Sequence, residues 1–282
     1  MDAAPPGTVE QLDPLVRRVL APNPSPFTFT GTQTHIVGRG EVAVIDPGPA
    51  IASHIDALLK ATAGERIVAI VCTHTHRDHS PGTRPLKEAT GAPIVGCAPL
   101  ALADDGEDES FDPDYRPDRV LADGERLDGP GWTLEAVATP GHTSNHLCFG
   151  LAEAGALFSG DHVMAWSTSI VSPPDGDMGA YVESLERLLQ RDDRIYYPAH
   201  GPAAEDPRKL VRGLILHRRQ REAGILARLR AGDREVPAIV ANLYQAVDPR
   251  LHPAAARSVL AHLIDLKRRG LATQEGSAWR SL

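Results

Sequence analysis

Four short apolar runs in this chain each end at a turn that carries histidine or aspartate. This repeated arrangement constrains the fold more than any other feature. Ile67 to Val71 leads into Thr73-His74-Thr75-His76-Arg77-Asp78-His79, and Trp132 to Ala138 leads into Thr139-Pro140-Gly141-His142-Thr143. Ala156 to Phe158 leads into Ser159-Gly160-Asp161, and Arg194 to Tyr197 into Pro198-Ala199-His200-Gly201. Apolar runs of this length bounded by Gly and Pro predict strands. Strand ends are where a rigid scaffold presents side chains at the rim of a sheet. The chain is therefore expected to gather His and Asp at the edge of its sheets.

Neutral imidazole and carboxylate are ligands that Zn²⁺ prefers. Alternation along an extended segment points His74 and His76 to the same side, while Asp78 and His79 turn toward a second ion. Six residues cannot enclose two ions, so His142, Asp161 and His200 are expected to supply the rest. Two dications ~3.5–4 Å apart repel, and a shared carboxylate with a shared hydroxide offsets the repulsion and lowers the pKa of the bound water. Such a hydroxide attacks without a Ser or Cys nucleophile. Asp78 is expected to ligate one ion and orient the hydroxide. His146 is a candidate to donate to a substrate oxygen or protonate a leaving group, with a buried supporting role as the alternative.

With Ile45-Asp46-Pro47-Gly48 upstream, these motifs stand in the order found in the metallo-β-lactamase superfamily, which the chain resembles over roughly residues 27 to 204. The resemblance implies that His74, His76 and His142 hold the first ion, that Asp78, His79 and His200 hold the second, and that Asp161 bridges them. Asp46 would orient the ligand loop without touching metal. It also implies an α+β fold, a four-layer αβ/βα sandwich with two divalent ions at one edge. Zn²⁺ is the expected metal, and the donors suit Mn²⁺ or Fe²⁺ as well.

Cys72, Cys97 and Cys148 show no C-x-x-C spacing and no disulfide framework, which favours a reducing, cytoplasmic location. The first twenty residues do not read as a leader, and no apolar run approaches the ~18 residues a membrane span needs. Residues 1–26 read as a Pro-rich extension with a helix at Val9 to Leu20, and residues 27–204 as the hydrolase domain. Helices are expected at Ala50 to Ala63 and Met178 to Gln190. The run from Asp104 to Asp118 reads as a solvated acidic loop. The stretch Trp166 to Asp177 follows Asp161 directly and is expected to wall the substrate cleft; Ser167 and Thr168 are candidate polar contacts there, although ordinary loop capping is the expected fate of each.

Composition changes near Glu205. Residues 205–282 carry fifteen Lys and Arg against eight acids, and the rest carry fourteen against twenty-nine. The tail reads as three helices, Pro207 to Ala231, Val236 to Ala246 and Pro253 to Arg269, followed by strands at Leu271 to Thr273 and Ser277 to Arg280. That is a winged-helix pattern, in which Lys267, Arg268, Arg269, Arg218, Arg219 and Arg221 either bind phosphates or form a solvated face. The two-part layout is similar to the winged-helix-bearing β-lactamase-like protein 2 group, which implies endoribonuclease activity. Hydrolysis of phosphodiester bonds in single-stranded RNA is the expected function. A small-molecule acyl hydrolase acting on a thioester or lactone is the alternative, and the annex is compatible with a homodimer. The resemblance implies antibiotic hydrolysis as at most a side activity, because true zinc β-lactamases generally lack a bridging Asp at the position of Asp161.

Overall fold

The computed structural model describes residues 4–100, 111–246 and 248–282. The expected acidic loop therefore falls partly outside the described residues, from Asp104 to Ser110. The chain divides into one unit of residues 1–139, 145–168 and 192–207 and a second of residues 140–144, 169–191 and 208–282.

The first unit holds two sheets. One runs in spatial and chain order through β1 (Val9–Asp13), β2 (Val16–Leu20), β3 (Gln33–Arg39), β4 (Glu41–Ile45), β5 (Arg66–Cys72), β6 (Ile94–Gly96) and β7 (Arg119–Val120). The other places β12 (Ile195–Pro198), β11 (Ala156–Gly160), β10 (Leu147–Leu151), β9 (Trp132–Ala138) and β8 (Arg126–Gly129) side by side. Of the parallel pairs, β4 with β5 lies in the first sheet, where β6 and β7 continue the parallel run, and β11 with β12 lies in the second; the pairs β4–β5 and β11–β12 frame the loops of interest. All four strands of these pairs end at a residue of interest: Asp46 follows β4, the histidine loop follows β5, Asp161 follows β11 and His200 comes two residues after β12. Central strands of this kind are buried on both faces, and β5, β10 and β11 accordingly read as nearly unbroken apolar runs.

The two sheets are joined where the loops emerge. Leu147 N donates to Thr73 O at 2.9 Å, and Gln33 N donates to Ala199 O at 2.8 Å. Trp132, fully buried, donates from Nε1 to Glu41 O at 2.9 Å and ties β9 to the start of β4. Helices α1 (Ala52–Ala61) and α2 (Thr83–Thr90) pack on the first sheet against β2 and β5. On α1, Ile55 and Leu58 face the core, three positions apart as a helical stripe requires.

Val9 to Leu20 is not a helix. It forms the hairpin of β1 and β2, whose register pairs Val9 with Val19 and Asp13 with Val16. Pro14 in the middle of the segment cannot donate to a helical ladder, and Leu15 N bonds back to the Asp13 carboxylate at 3.0 Å to close the turn. These strands are part of the first sheet, so residues 1–26 are not a separate extension.

The second unit contains α3 (Met178–Leu188), α4 (Pro207–Arg230), α5 (Val236–Leu243), α6 (His252–Arg268) and the antiparallel pair β13 (Ala272–Glu275) and β14 (Ala278–Ser281). The expected three helices and two-stranded wing are present, and Ile225, Leu229, Ile239, Val259, Leu263 and Trp279 form their core. The segment of α3, assigned to the hydrolase domain from sequence, clusters with these elements instead. No described helix is long and apolar enough to cross a membrane.

Candidate metal centre

Asp46 is the anchor of the site. Its backbone holds a φ of 49°, a left-handed conformation that a non-glycine residue keeps only where its surroundings impose it. Its carboxylate accepts from Thr73 N at 2.8 Å and from Thr73 Oγ1 at 2.8 Å, and lies 3.1 Å from His79 Nδ1. Thr73 Oγ1, having given its proton to Asp46, accepts from His74 Nδ1 at 3.0 Å. One buried aspartate thus sets both ends of the histidine loop.

The same device recurs around the centre. His142 Nδ1 donates to Ile170 O at 2.6 Å, and His200 Nδ1 donates to Gly31 O at 3.2 Å. His74, His79, His142 and His200 each spend the Nδ1 proton on an oxygen, which leaves a lone pair on Nε2. His74 Nε2 stands 2.9 Å from His76 Nδ1. One ligand atom from each of His74, His76, His142 and Asp161 forms a group within which all atoms lie within 4.8 Å of one another, and Asp78, His79 and His200 form a second such group.

This geometry fits a pair of cations. Nε2 of His79 and Nε2 of His200 make no hydrogen bond to a described residue. Yet the carboxylate of Asp78 stands 3.1 Å from His200 Nε2 and 3.5 Å from His79 Nε2, and that of Asp161 stands 3.3 Å and 3.5 Å from the same two atoms. The two carboxylates and the two imidazoles face a common space as close ion pairs. Asp161 meets both groups, the position a bridging acid requires.

The electrostatics agree. Burial pushes the Asp78 and Asp161 carboxyls up, but the imidazoles of His79 and His200 overcome it and hold both below the usual carboxylate range. Burial pushes the imidazoles down, but Asp78 and Asp161 raise His79 well above its ordinary value and His200 to about 9. Buried carboxylates of this kind demand positive charge, which divalent ions would supply.

His146 is not placed as a proton donor to substrate. Its Nδ1 bonds Thr139 Oγ1 at 2.9 Å and its Nε2 accepts from Asp161 N at 3.2 Å, in a fully buried setting. Both nitrogens are engaged, Nδ1 with Thr139 and Nε2 with the backbone of Asp161, which favours the supporting role over the catalytic one. Gly160 allows this approach: a Cβ there would meet His146 Nε2 at 2.6 Å. Asp78, whose side chain is 29% exposed, remains open to substrate. Ser167 bonds locally to Thr168 O, so neither stands out as a contact.

Sequence reading does not single out Thr73, Thr139 or Phe29, nor the pairing of Phe29 with Trp166, whose ring centroids lie 5.0 Å apart, although Trp166 opens the stretch expected to wall the cleft. A hydroxyl directly before the first ligand histidine is the available signal for Thr73. The aromatic pair is far apart in sequence and leaves none.

Residues 28–200 match the metallo-beta-lactamase superfamily, and residues 236–279 match the beta-lactamase associated winged helix domain. The chain is 32% identical over 264 residues to the lactamase-like protein adaB of Aspergillus niger, covering 87% of this chain and 78% of that protein. It is 34% identical over 232 residues to an atrochrysone carboxyl ACP thioesterase of Passalora fulva, covering 78% of this chain and 63% of that protein. It is 32% identical over 249 residues to the beta-lactamase-like protein 2 homolog of Caenorhabditis elegans, covering 86% and 80%. Among solved structures, a metallo-beta-lactamase family protein from Thermus thermophilus shares the fold with a TM-score of 0.77 at 22% identity, covering 96% of this chain and 100% of that one. With histidine and aspartate gathered at the ends of two parallel strand pairs and a winged helix behind them in sequence, this chain belongs to the metallo-beta-lactamase superfamily and is a hydrolase.

Proposed function

We propose that the protein hydrolyses acyl thioesters whose acyl group is flat and apolar. The observation that carries this reading is an aromatic wall beside His200. Phe29 stacks on Trp166, and Trp166 lies so close to Gly201 that a Cβ there would meet its ring at 2.4 Å. Phe29 is 46% exposed and Phe27 is 58% exposed, and Phe29 is held at a φ of 56°. An open ring, that of Phe29, held in a costly backbone conformation and stacked beside buried polar ligands suits a substrate with an apolar body and one polar reacting group. The name of the Passalora fulva relative, a thioesterase, supports the same reading.

The arginines of the winged-helix module weigh against RNA. Arg219 pairs with Glu186 at 2.9 Å, Arg268 with Asp177 at 2.7 Å, and Arg269 with Glu222 and Asp265. Arg221 bonds Leu243 O at 3.2 Å and lies over Tyr244. Cations spent on internal partners release few counterions to a polyanion. The strongly acidic remainder of the chain would repel one.

Two divalent ions held by His74, His76, His142, Asp78, His79, His200 and Asp161 would polarise the thioester carbonyl and make a water nucleophilic near neutral pH. The chain's own residues do the rest. Asp46 and Thr73 fix the donor loop, His146 fixes Asp161, and Asp78 is open enough to orient the incoming water, whose proton passes to solvent. The water adds to the carbonyl carbon, the carbon–sulfur bond breaks, and the thiolate leaves and is protonated by solvent. Cys72 and Cys148 are buried and take no part.

The test is a substrate panel on metal-restored protein: N-acetylcysteamine and glutathione thioesters of aliphatic and aromatic acids, beside an unstructured RNA. Turnover of aromatic thioesters that is lost in Asp161→Asn is the expected result. Cleavage of RNA with every thioester left intact would overturn the proposal in favour of phosphodiester hydrolysis.

A further inference from the structure

The second unit holds a cleft of about 660 Å³ between α3, α4 and α6, a volume in the range of small-ligand pockets. Four arginines line it: Arg218, Arg219, Arg268 and Arg269. Three are matched by the carboxylates described above. Arg218 is not. It is 4% exposed, donates to Ser169 O, lies 5.0 Å from the centroid of the Tyr181 ring, and forms no ion pair with a described residue, while its Nε has no hydrogen-bond partner among them. His262, at 2% exposed, lines the same cleft, and neither of its ring nitrogens has a hydrogen-bond partner among the described residues.

A guanidinium taken out of water without a counter-charge is strongly unfavourable. Idle nitrogens on a buried imidazole add to that cost. Burial first, and then the charge of Arg218, lower His262 to about 3, so its ring is neutral and offers one N–H donor and one acceptor. An oxyanion in the cleft would satisfy the cation and the donor together. A phosphoryl group fits better than a carboxylate, because a singly protonated phosphate also has a hydroxyl to give to the imidazole's acceptor nitrogen.

We propose that this cleft is a binding site for a small phosphorylated ligand, whose phosphoryl oxygens are received by Arg218 and His262. The site is independent of the hydrolytic centre and of the thioester reading. Contact with a ligand requires the two side chains, whose idle nitrogens are buried, to turn toward the space they line.

The experiment titrates inorganic phosphate by calorimetry into the full chain, stripped of metal by chelator so that the His/Asp centre does not compete, with chloride holding ionic strength constant. One saturable site per chain is expected. Arg218→Met should weaken it by about tenfold or more, as loss of a charged hydrogen bond implies, and His262→Leu should weaken it several-fold. Should Arg218→Met fail to fold by circular dichroism, Arg218→Lys, which keeps the charge and loses the planar donor set, takes its place with the same expected direction. The proposal is overturned if the parent shows no saturable binding, if the folded variants bind phosphate as the parent does, or if acetate binds as tightly as phosphate.

Discussion

Asp46 contributes no ligand atom, yet three contacts to the histidine loop converge on its carboxylate. Replacing a partner of this kind commonly costs 10- to 100-fold in metal affinity. Asp46→Ala should therefore weaken zinc binding by roughly that factor in competition with a chromophoric chelator. Asp46→Asn, which loses an acceptor and the charge but keeps the shape, should fall between. A second expectation concerns acid. His35 is buried between Phe158 and Tyr197, and burial, then Arg18, lower it to about 3 from an ordinary 6.5. Below pH 6.5 the unfolded chain takes up a proton that the folded chain refuses until about pH 3, so stability is full above 6.5 and declines through that window. His35→Phe should flatten the fall in melting temperature between pH 7 and pH 4. At this scale the donors are legible in the sequence, because each group follows a strand, His74 to His79 crowd into one loop, and His142, Asp161 and His200 sit beside Gly. The left-handed backbone of Asp46, the Nδ1 anchors and the ring stack of Phe29 are not, because all depend on partners distant in sequence.

Among elements, the strands that carry donors read easily, since buried parallel strands are apolar without interruption. The hairpin of β1 and β2 reads as a helix because Val9, Leu12, Val16 and Leu20 also fall near helical spacing; Pro14 is the contrary signal. Helix α2 escapes a reading by period for a related reason. It is eight residues long, too short to show one, and Pro85 sits in its first turn, where proline is tolerated. Its start depends on Gly82, whose backbone donates to Gly48 O at 2.8 Å and where a Cβ would meet Pro47 O at 2.6 Å. Gly82→Ala should cost about 1–3 kcal/mol in urea unfolding, with the slope against urea unchanged, because the loop of Pro47 and Gly48 must shift to admit the methyl group. An unchanged midpoint would show that this contact does not hold α2 in place.

For the molecule as a whole, the excess of basic residues after Glu205 resembles a nucleic-acid surface only while their partners are left out. Charge counted along a sequence ignores pairing. Because Arg219, Arg268 and Arg269 are committed to carboxylates, the full chain should pass through heparin resin at physiological salt, and retention would revive the case for a polyanion partner. Chelation is expected to lower the melting temperature, and zinc to restore it in a concentration-dependent way, since a ligand that binds only the folded form stabilises it by mass action. The division of donors between the end of β5 in one sheet and the ends of β9, β11 and β12 in the other has a practical result for anyone preparing the protein. A chain in which either sheet has come undone can assemble neither coordination sphere, so stoichiometric zinc uptake is a gauge of correct tertiary docking, readable before any substrate is in hand.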